Sequence, residues 1–170
     1  MKVLVTGTKG QLGYDVVNEL EKRGHTAVAV DIEEMDITDA VSVERVITEA
    51  EVEAVIHCAA YTAVDAAEDN VEICRRVNAE GTENIAKVCK KLDLKMIYIS
   101  TDYVFDGEGE RPWEPDDERH PLNVYGTDEI RRRTCSRKVS GEIFYCSYCM
   151  GIRCEWKELY QDNAEAFRNS

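Results

Sequence analysis

The sequence predicts an α/β protein built on a doubly wound parallel sheet, and three observations predict this fold. Short apolar runs alternate with amphipathic stretches, polar or glycine residues follow the runs, and the first run ends in a glycine-rich turn. Strands separated by helices form parallel sheets, and such sheets bind ligands at the carboxyl ends of their strands. We therefore expect the functional residues to lie along one edge of the sheet.

The glycine-rich turn follows the first apolar run, residues 3–5, and places Gly7, Gly10 and Gly13 in the spacing Gly-x-x-Gly-x-x-Gly. Glycine serves where φ is positive or where a Cβ would collide with a phosphate. The free N–H groups of a helix that begins near Gln11 point toward an anion, and a dinucleotide pyrophosphate fits there. A tight strand-to-helix turn without a ligand is the simpler alternative. The position after an N-terminal strand favours nucleotide binding.

The second strand, residues 26–30, follows a helix predicted over residues 15–23 and stopped by Gly24. This strand ends at Asp31. An acidic residue there accepts hydrogen bonds from the adenosine ribose hydroxyls and repels a 2′-phosphate. Asp31 therefore favours NAD(H) over NADP(H), and a solvated loop residue is the alternative interpretation.

The third strand, residues 52–60, ends in Ala59 and Ala60, whose small side chains leave room for a cofactor. His57 and Cys58 lie inside this apolar run, and we interpret them as core residues and not as ligands. The remaining predicted elements are a helix over 40–49 capped by Thr38 or Asp39, a loop at 61–65, a helix over about 71–92 and a fourth strand over 95–100.

Composition excludes several classes of function. The 170 residues carry a net charge of −13, which argues against nucleic acid as a partner because a phosphate backbone requires clustered Lys and Arg. No apolar run is long enough to span a membrane, and no cleavage-type signal peptide is visible. These features predict a cytoplasmic protein with a core of its own.

Five motifs resemble the extended short-chain dehydrogenase/reductases, and among them the dTDP-4-dehydrorhamnose reductase family. They are T-G-T-K-G-Q-L-G, H-C-A-A-Y-T-A-V-D-A-A-E, V-N-A-E-G-T-E-N-I-A, I-S-T-D-Y-V-F-D-G and P-L-N-V-Y-G. The resemblance implies a Rossmann-like domain over residues 1–126 and reduction of the C4 ketone of dTDP-4-dehydro-L-rhamnose to dTDP-L-rhamnose, the rhamnose donor for cell-surface polysaccharide. Another sugar-nucleotide reductase or epimerase of the same family is an alternative.

The resemblance also implies the roles of individual residues. Thr101 hydrogen-bonds the substrate carbonyl, Asp102 lies with it at the substrate, and Tyr125 donates a proton as hydride arrives from the nicotinamide. NAD(H), or alternatively NADP(H), is the cofactor, a dTDP-sugar is the small-molecule partner, and a homodimer is compatible with the family. No metal site is expected. The implied cofactor residues are Gly7, Gly10, Gln11, Leu12, Gly13, Asp31, Asp36, Ile37, Ala59, Ala60, Tyr61 and Thr62.

The sequence departs from the family immediately after these motifs. The family has Tyr-x-x-x-Lys, in which the lysine holds the nicotinamide ribose and lowers the pKa of the tyrosine. The fourth residue after Tyr125 is Glu129, and a carboxylate would raise that pKa instead. The catalytic set is therefore incomplete in this chain.

Composition changes at the same place, because residues 127–170 carry four of the seven cysteines and nearly balanced charge. A small zinc or redox module is one interpretation, although the second Cys-x-x-Cys pair that it requires is missing. A C-terminal helix that begins at Thr127, Asp128 and Glu129 is another. The cysteines of the module would be Cys135, Cys146, Cys149 and Cys154.

A third interpretation of residues 127–170 comes from the genetic code. Back-translation of G-T-D-E-I-R-R-R-T, with one base removed near the Gly126 codon, can be read as G-Q-T-K-Y-E-G-E-L, which restores the lysine. We therefore predict an out-of-frame tail, poorly ordered or locally helical, that replaces the fifth strand and leaves the fold C-terminally incomplete. Such a chain binds a nucleotide without turnover. A non-catalytic binding or regulatory subunit is the alternative.

Overall fold

The computed structural model describes residues 1–108, 111, 113–114, 117–139 and 143–148. Within these residues, five strands form one parallel sheet in the order β2-β1-β3-β4-β5. The arrangement confirms the predicted doubly wound parallel sheet. The strands are β1 (Lys2–Thr6), β2 (Thr26–Val30), β3 (Ala54–His57), β4 (Lys95–Thr101) and β5 (Ile143–Tyr148).

The helices differ from the prediction mainly in the middle of the chain. They are α1 (Gln11–Lys22), α2 (Ala40–Ala50), α3 (Val64–Asp69), α4 (Val71–Arg75), α5 (Thr82–Lys91) and α6 (Val124–Val139), with a 3₁₀ turn at Asp102–Val104. A π-helical turn, Arg76–Gly81, interrupts the single helix predicted over residues 71–92. Asp39 caps α2 by accepting a hydrogen bond from the backbone N–H of Val41 at 2.9 Å. None of the helices in the described residues combines the length and apolar character that a membrane span requires.

Alternating strand residues point to opposite faces of the sheet, and each face has its own core. On one face, Leu4, Val55 and Met96 pack with residues of α2 and α5. On the other face, Val3 and Val5 pack with residues of α1. Because the helices cover the two faces, the carboxyl ends of the strands remain open for a site.

The expectation that residues 127–170 remove the fifth strand is wrong. Strand β5 pairs in parallel with β4, from Met96 opposite Ile143 to Thr101 opposite Tyr148. Its sequence, I-F-Y-C-S-Y, is rich in β-branched and aromatic residues, which favour a strand whichever reading frame produced them. Helix α6 begins at Val124, before the predicted start at Thr127, because the Asn123 side chain accepts a hydrogen bond from the N–H of Gly126 at 2.7 Å. The order predicted for residues 149–170 lies outside the described residues.

Candidate active site

An open cleft of about 1320 Å³ runs along the carboxyl ends of β1 to β4. The cleft lies at the edge of the sheet where the sequence predicts the functional residues, and most of them line it. Tyr61 and Asp102 are not part of its lining. The predicted residues that line the cleft are Gly7, Gly10, Gln11, Leu12, Gly13, Asp31, Asp36, Ile37, Ala59, Ala60, Thr62, Thr101 and Tyr125.

The glycine turn forms one end of the cleft, and its geometry requires glycine. Gly7 has a φ of +69°, and a Cβ at this position would lie 2.7 Å from the Cα of Ala59. A Cβ on Gly13 would overlap the carbonyl oxygen of Gly7. Helix α1 begins directly after Gly10 without a side-chain cap, so its first N–H groups remain available to an anion in the cleft.

Asp31 lies at the end of β2 and is fixed by two backbone amides. Its Oδ2 accepts a hydrogen bond from the N–H of Lys9 at 2.8 Å, and its Oδ1 accepts one from the N–H of Ile32 at 2.9 Å. A carboxylate offers about four acceptor positions, so it retains capacity for further donors. The side chain of Lys9 pairs with Glu33 at 2.5 Å, beside this carboxylate.

The end of β3 places His57 in the core and Cys58 at the cleft. His57 is fully buried between the hydroxyls of Thr6 and Thr82, with contacts of 2.7 and 2.9 Å. Burial, reinforced by the charge of Arg132, holds the pKa of His57 well below its usual value. The interpretation of His57 as a core residue is therefore confirmed. Cys58, in contrast, is half-buried and lines the cleft.

Thr101 and Tyr125 close the other end of the cleft. Tyr125 is buried, and its ring meets that of Tyr103 edge to face at 5.6 Å. Gly126 permits this approach, because a Cβ there would overlap the carbonyl oxygen of Tyr103. Two hydroxyls at one point of a cleft can donate a hydrogen bond and a proton to the oxygen of a bound ketone.

Burial of Tyr125, followed by the charge of Glu129, raises the pKa of the phenol above its ordinary value. The charge of Arg132 and a hydrogen bond with Thr101 oppose this rise. A phenol with a raised pKa is a weaker proton donor near neutral pH, which agrees with the direction expected from Glu129.

A buried polar cluster on α6 lies beneath Thr101 and Tyr125. Glu129 accepts hydrogen bonds from the hydroxyls of Tyr98 and Ser100. Arg132 contacts Glu129 at 3.4 Å, donates from Nε to Thr82 at 2.7 Å, and lies 4.0 Å over the ring of Tyr98. Glu129 is not part of the cleft lining, whereas Arg132 is.

Three placements in the site were not foreseen from the sequence. Arg132 reaches the cleft because it lies seven residues after Tyr125, a spacing that returns to the same face of a helix and that the sequence already contains. Tyr61 packs near Tyr125 in an apolar cluster. Asp102 accepts a hydrogen bond from Thr101 at 3.2 Å, which places it behind that hydroxyl.

Metal binding receives no support from the described residues, which contain no group of three or more His, Cys, Asp or Glu side chains that could hold an ion. The side chains of the four tail cysteines lie outside the described residues.

Known proteins resemble this chain in sequence and structure. It is 42% identical over 130 residues to a dTDP-4-dehydrorhamnose reductase of Mycolicibacterium smegmatis, covering 76% of this chain and 39% of that protein. It is 35% identical over 171 residues to the probable low-salt glycan biosynthesis reductase Agl14 of Haloferax volcanii, covering 94% of this chain and 57% of that protein. A crystal structure of dTDP-4-dehydrorhamnose reductase from Bacillus anthracis in complex with NADP has a TM-score of 0.84 and 29% identity, covering 96% of this chain and 60% of that one.

The chain thus spans between about two fifths and three fifths of the length of these proteins. The family model described as RmlD substrate binding domain matches residues 1–140, which include the glycine turn, Asp31, Thr101 and Tyr125. The chain therefore belongs to the RmlD substrate-binding-domain family.

Proposed function

We propose that the cleft binds a nicotinamide dinucleotide, with NAD(H) favoured over NADP(H). The observation that carries this proposal is that one continuous cleft contains groups suited to two different parts of a dinucleotide. The open helix N-terminus after Gly10 suits the pyrophosphate, and the acidic end of β2 at Asp31 suits ribose hydroxyls. The Bacillus anthracis relative, a complex with NADP, supports a nicotinamide cofactor and keeps NADP(H) as the alternative.

The reaction that we propose for the site is reduction of the C4 ketone of dTDP-4-dehydro-L-rhamnose by hydride from the bound cofactor. Thr101 hydrogen-bonds the carbonyl oxygen, and Tyr125 donates the proton as the oxygen gains charge. The two hydroxyls at the end of the cleft and the names of the relatives support this assignment. Asp102 orients Thr101 by accepting a hydrogen bond from its hydroxyl. The proposed location of the protein is the cytoplasm. A homodimer stays a prediction.

We propose that this chain binds the cofactor but does not turn over. Burial, followed by the charge of Glu129, raises the pKa of the Tyr125 phenol, and the charge of Arg132 opposes this rise without reversing it. A non-catalytic binding or regulatory subunit, as opposed to an enzyme that has lost its activity, is the second candidate function. One observation favours it: Glu129 is held beneath the cleft by Tyr98 and Ser100 and leaves the lining intact.

We propose that residues 127–170 are read out of frame and that residues 1–126 form the cofactor domain. The support is chemical: Asp128, Glu129, Arg132 and Arg133 of α6 are all buried, and the first of these has a buried carboxylate oxygen, Oδ2, without a hydrogen-bond partner. A helix that packs on a sheet normally buries an apolar face, whereas α6 buries charged side chains that form ion pairs with one another and with Arg131.

Titration of the chain with NADH, followed by the change in nicotinamide fluorescence, tests the proposed cofactor site. Substitution Ala60→Trp places a large ring in the cleft and should abolish binding. Substitution Ala40→Trp, at an exposed position outside the lining, is the matched control and should leave binding unchanged. If the unmodified chain binds neither NADH nor NADPH, the proposal is wrong.

A further inference from the structure

The π-helical turn Arg76–Gly81 joins α4 to α5, and its first two residues, Arg76 and Val77, line the cleft. A π-helical turn holds an extra residue relative to an α-helical one and is often found at functional sites. The turn and the first residues of α5 contact two loops that follow different strands. These loops contain Tyr61, after β3, and Ile37, after β2.

The first contact is a two-point clamp. Asn78 is fully buried, and its Oδ1 accepts a hydrogen bond from the N–H of Tyr61 at 2.8 Å. Its Nδ2 donates to the carbonyl oxygen of Tyr61 at 3.1 Å. Two bonds to one residue fix both the position and the direction of the backbone between Ala60 and Thr62, which line the cleft. Asn78 thus holds this wall without touching the cleft.

The second contact lies six residues further along. The Nδ2 of Asn84 donates to the carbonyl oxygen of Ile37 at 3.0 Å. Gly81 lets the helix approach the same residue, because a Cβ there would lie 2.8 Å from the Cγ1 of Ile37. Asp36, Ile37 and Thr38 line the cleft, so this contact holds the wall that follows β2.

We infer that Asn78 and Asn84 are positioning residues that fix the two walls of the cofactor cleft independently, each serving a different half of the dinucleotide. This inference rests on the proposed binding of NAD(H). The wall held by Asn84 follows β2, where Asp31 marks the adenosine half. The wall held by Asn78 follows β3, next to β4 and Thr101, and Tyr61 packs in the same apolar cluster as Tyr125. Asn78 therefore serves the nicotinamide half.

Ligand fragments separate the two roles. The full chain and its variants are titrated with NADH, which occupies both halves, and with AMP, which contains only the adenosine half. We expect Asn78→Ala to weaken NADH binding about tenfold and AMP binding less than about twofold. Asn84→Ala should weaken both ligands by the same factor. Asn70→Ala removes a comparable bond, from Nδ2 to the carbonyl oxygen of Ala66 at 2.9 Å, away from the cleft, and should change neither.

The variant Asn78→Leu distinguishes positioning from loss of packing. It nearly keeps the side-chain volume but loses both hydrogen bonds to Tyr61, together with the contact of Nδ2 with Cys74 Sγ at 3.4 Å, so it should show the same selective loss of NADH affinity as Asn78→Ala. Equal losses for NADH and AMP in both Asn78 variants, with thermal unfolding lowered in parallel, would overturn the inference. If the unmodified chain binds AMP and NADH normally in that case, the proposed function stands and only the positioning roles fall.

Discussion

The carboxyl ends of β1 and β4 differ in the kind of polar group that surrounds them. At the end of β1, the glycine turn uses backbone groups and neutral side chains: the Oγ1 of Thr6 accepts from the N–H of Ala59 at 3.1 Å, and Gly10 N–H donates to Gly7 at 3.1 Å. At the end of β4, α6 places four charged residues in the interior. The first arrangement uses no buried charge, whereas the second places beneath the cleft buried charges that must neutralise one another.

The difference shows what determines the position of α6. Its four buried charges are Asp128, Glu129, Arg132 and Arg133, which lie on one helical face by their spacing. That face is set by the residues before them, because Tyr125 packs on Tyr103 and Gly126 fits under the Tyr103 carbonyl. Once the first turn is anchored, later residues are carried inward whatever their chemistry. A buried ion cluster of this kind is weak evidence for stability.

The largest expected effect is on activity, and it tests whether the buried charges of α6 are what separates the end of β4 from that of β1. Deleting one base near the Gly126 codon, with the downstream gene present, should replace the buried charges and restore turnover. Glu129→Lys alone should not, since it leaves the rest of the cluster in place and supplies no further substrate contacts, on which much of the rate depends. The assay is NADH oxidation with dTDP-4-dehydro-L-rhamnose. Ordinary turnover by the unmodified chain would show that residues 127–170 are functional.

Sequence patterns predicted the sheet and the glycine end of the cleft because the causes are local. Short apolar runs specify strands, and glycine spacing specifies the turn, so Gly7, Gly13 and Asp31 lie where expected. The alternation of strands and helices then places all strand ends at one edge.

Other features depend on contacts between distant residues and could not be predicted. The π-helical turn is coupled to the bonds between Asn78 and Tyr61, 17 positions apart. The burial of Glu129 depends on the hydroxyls of Tyr98 and Ser100, which no periodicity reveals. Strand β5 forms from residues that were expected to remove the fifth strand. The reason is that a run of β-prone residues pairs with the open edge of β4.

The second prediction tests the ion cluster directly. Glu129→Gln leaves Arg132 and Arg133 buried with less compensation and should lower the free energy of unfolding by about 3–5 kcal/mol. Glu83→Gln is the matched control, because Glu83 pairs with Lys87 at 2.7 Å on the surface of α5, and it should cost about 0–1 kcal/mol. Urea unfolding followed by circular dichroism measures both. Equal small losses would mean that the cluster at the end of β4 contributes no more than a surface pair.

The third prediction concerns the opposite strand end. Gly13→Ala forces a methyl group against the carbonyl oxygen of Gly7 and should destabilise the fold by about 2–3 kcal/mol. Gly24→Ala is the control: Gly24 has a φ of +78° but no neighbour within 4 Å, so only the backbone conformation opposes the change, at about 1–2 kcal/mol. Thermal unfolding of the two variants compares them. A greater loss for Gly24→Ala would contradict the close packing inferred for the glycine turn.

The fourth prediction is that the stability of the fold depends on pH because of His57. This residue contacts Thr6 at the end of β1 and is influenced by the charge of Arg132 on α6. Its pKa lies well below 6.5 in the folded chain, chiefly because of burial. Below pH 6.5 the unfolded chain therefore binds a proton that the folded chain does not. Stability should fall by about 1.4 kcal/mol per pH unit as the pH decreases below that value, until the folded pKa is reached. Urea midpoints at pH 7.5, 6.0 and 5.0 measure the slope, which should be absent in His57→Gln. The same slope in that variant would assign it to other groups.

The smallest expected effect is cofactor preference, which tests whether the ordered end of β2 selects its ligand. Two acceptor positions of Asp31 are occupied by the N–H groups of Lys9 and Ile32, and the others can receive ribose hydroxyls. NADH should therefore bind more tightly than NADPH, whose 2′-phosphate meets the carboxylate. Asp31→Asn should narrow the ratio of the two dissociation constants about threefold to tenfold, because the amide removes the repulsion. Asp93→Asn, at an exposed position outside the cleft, should leave the ratio unchanged. Fluorescence titration with both cofactors provides the measurement, and tighter binding of NADPH by the unmodified chain would refute the role of Asp31.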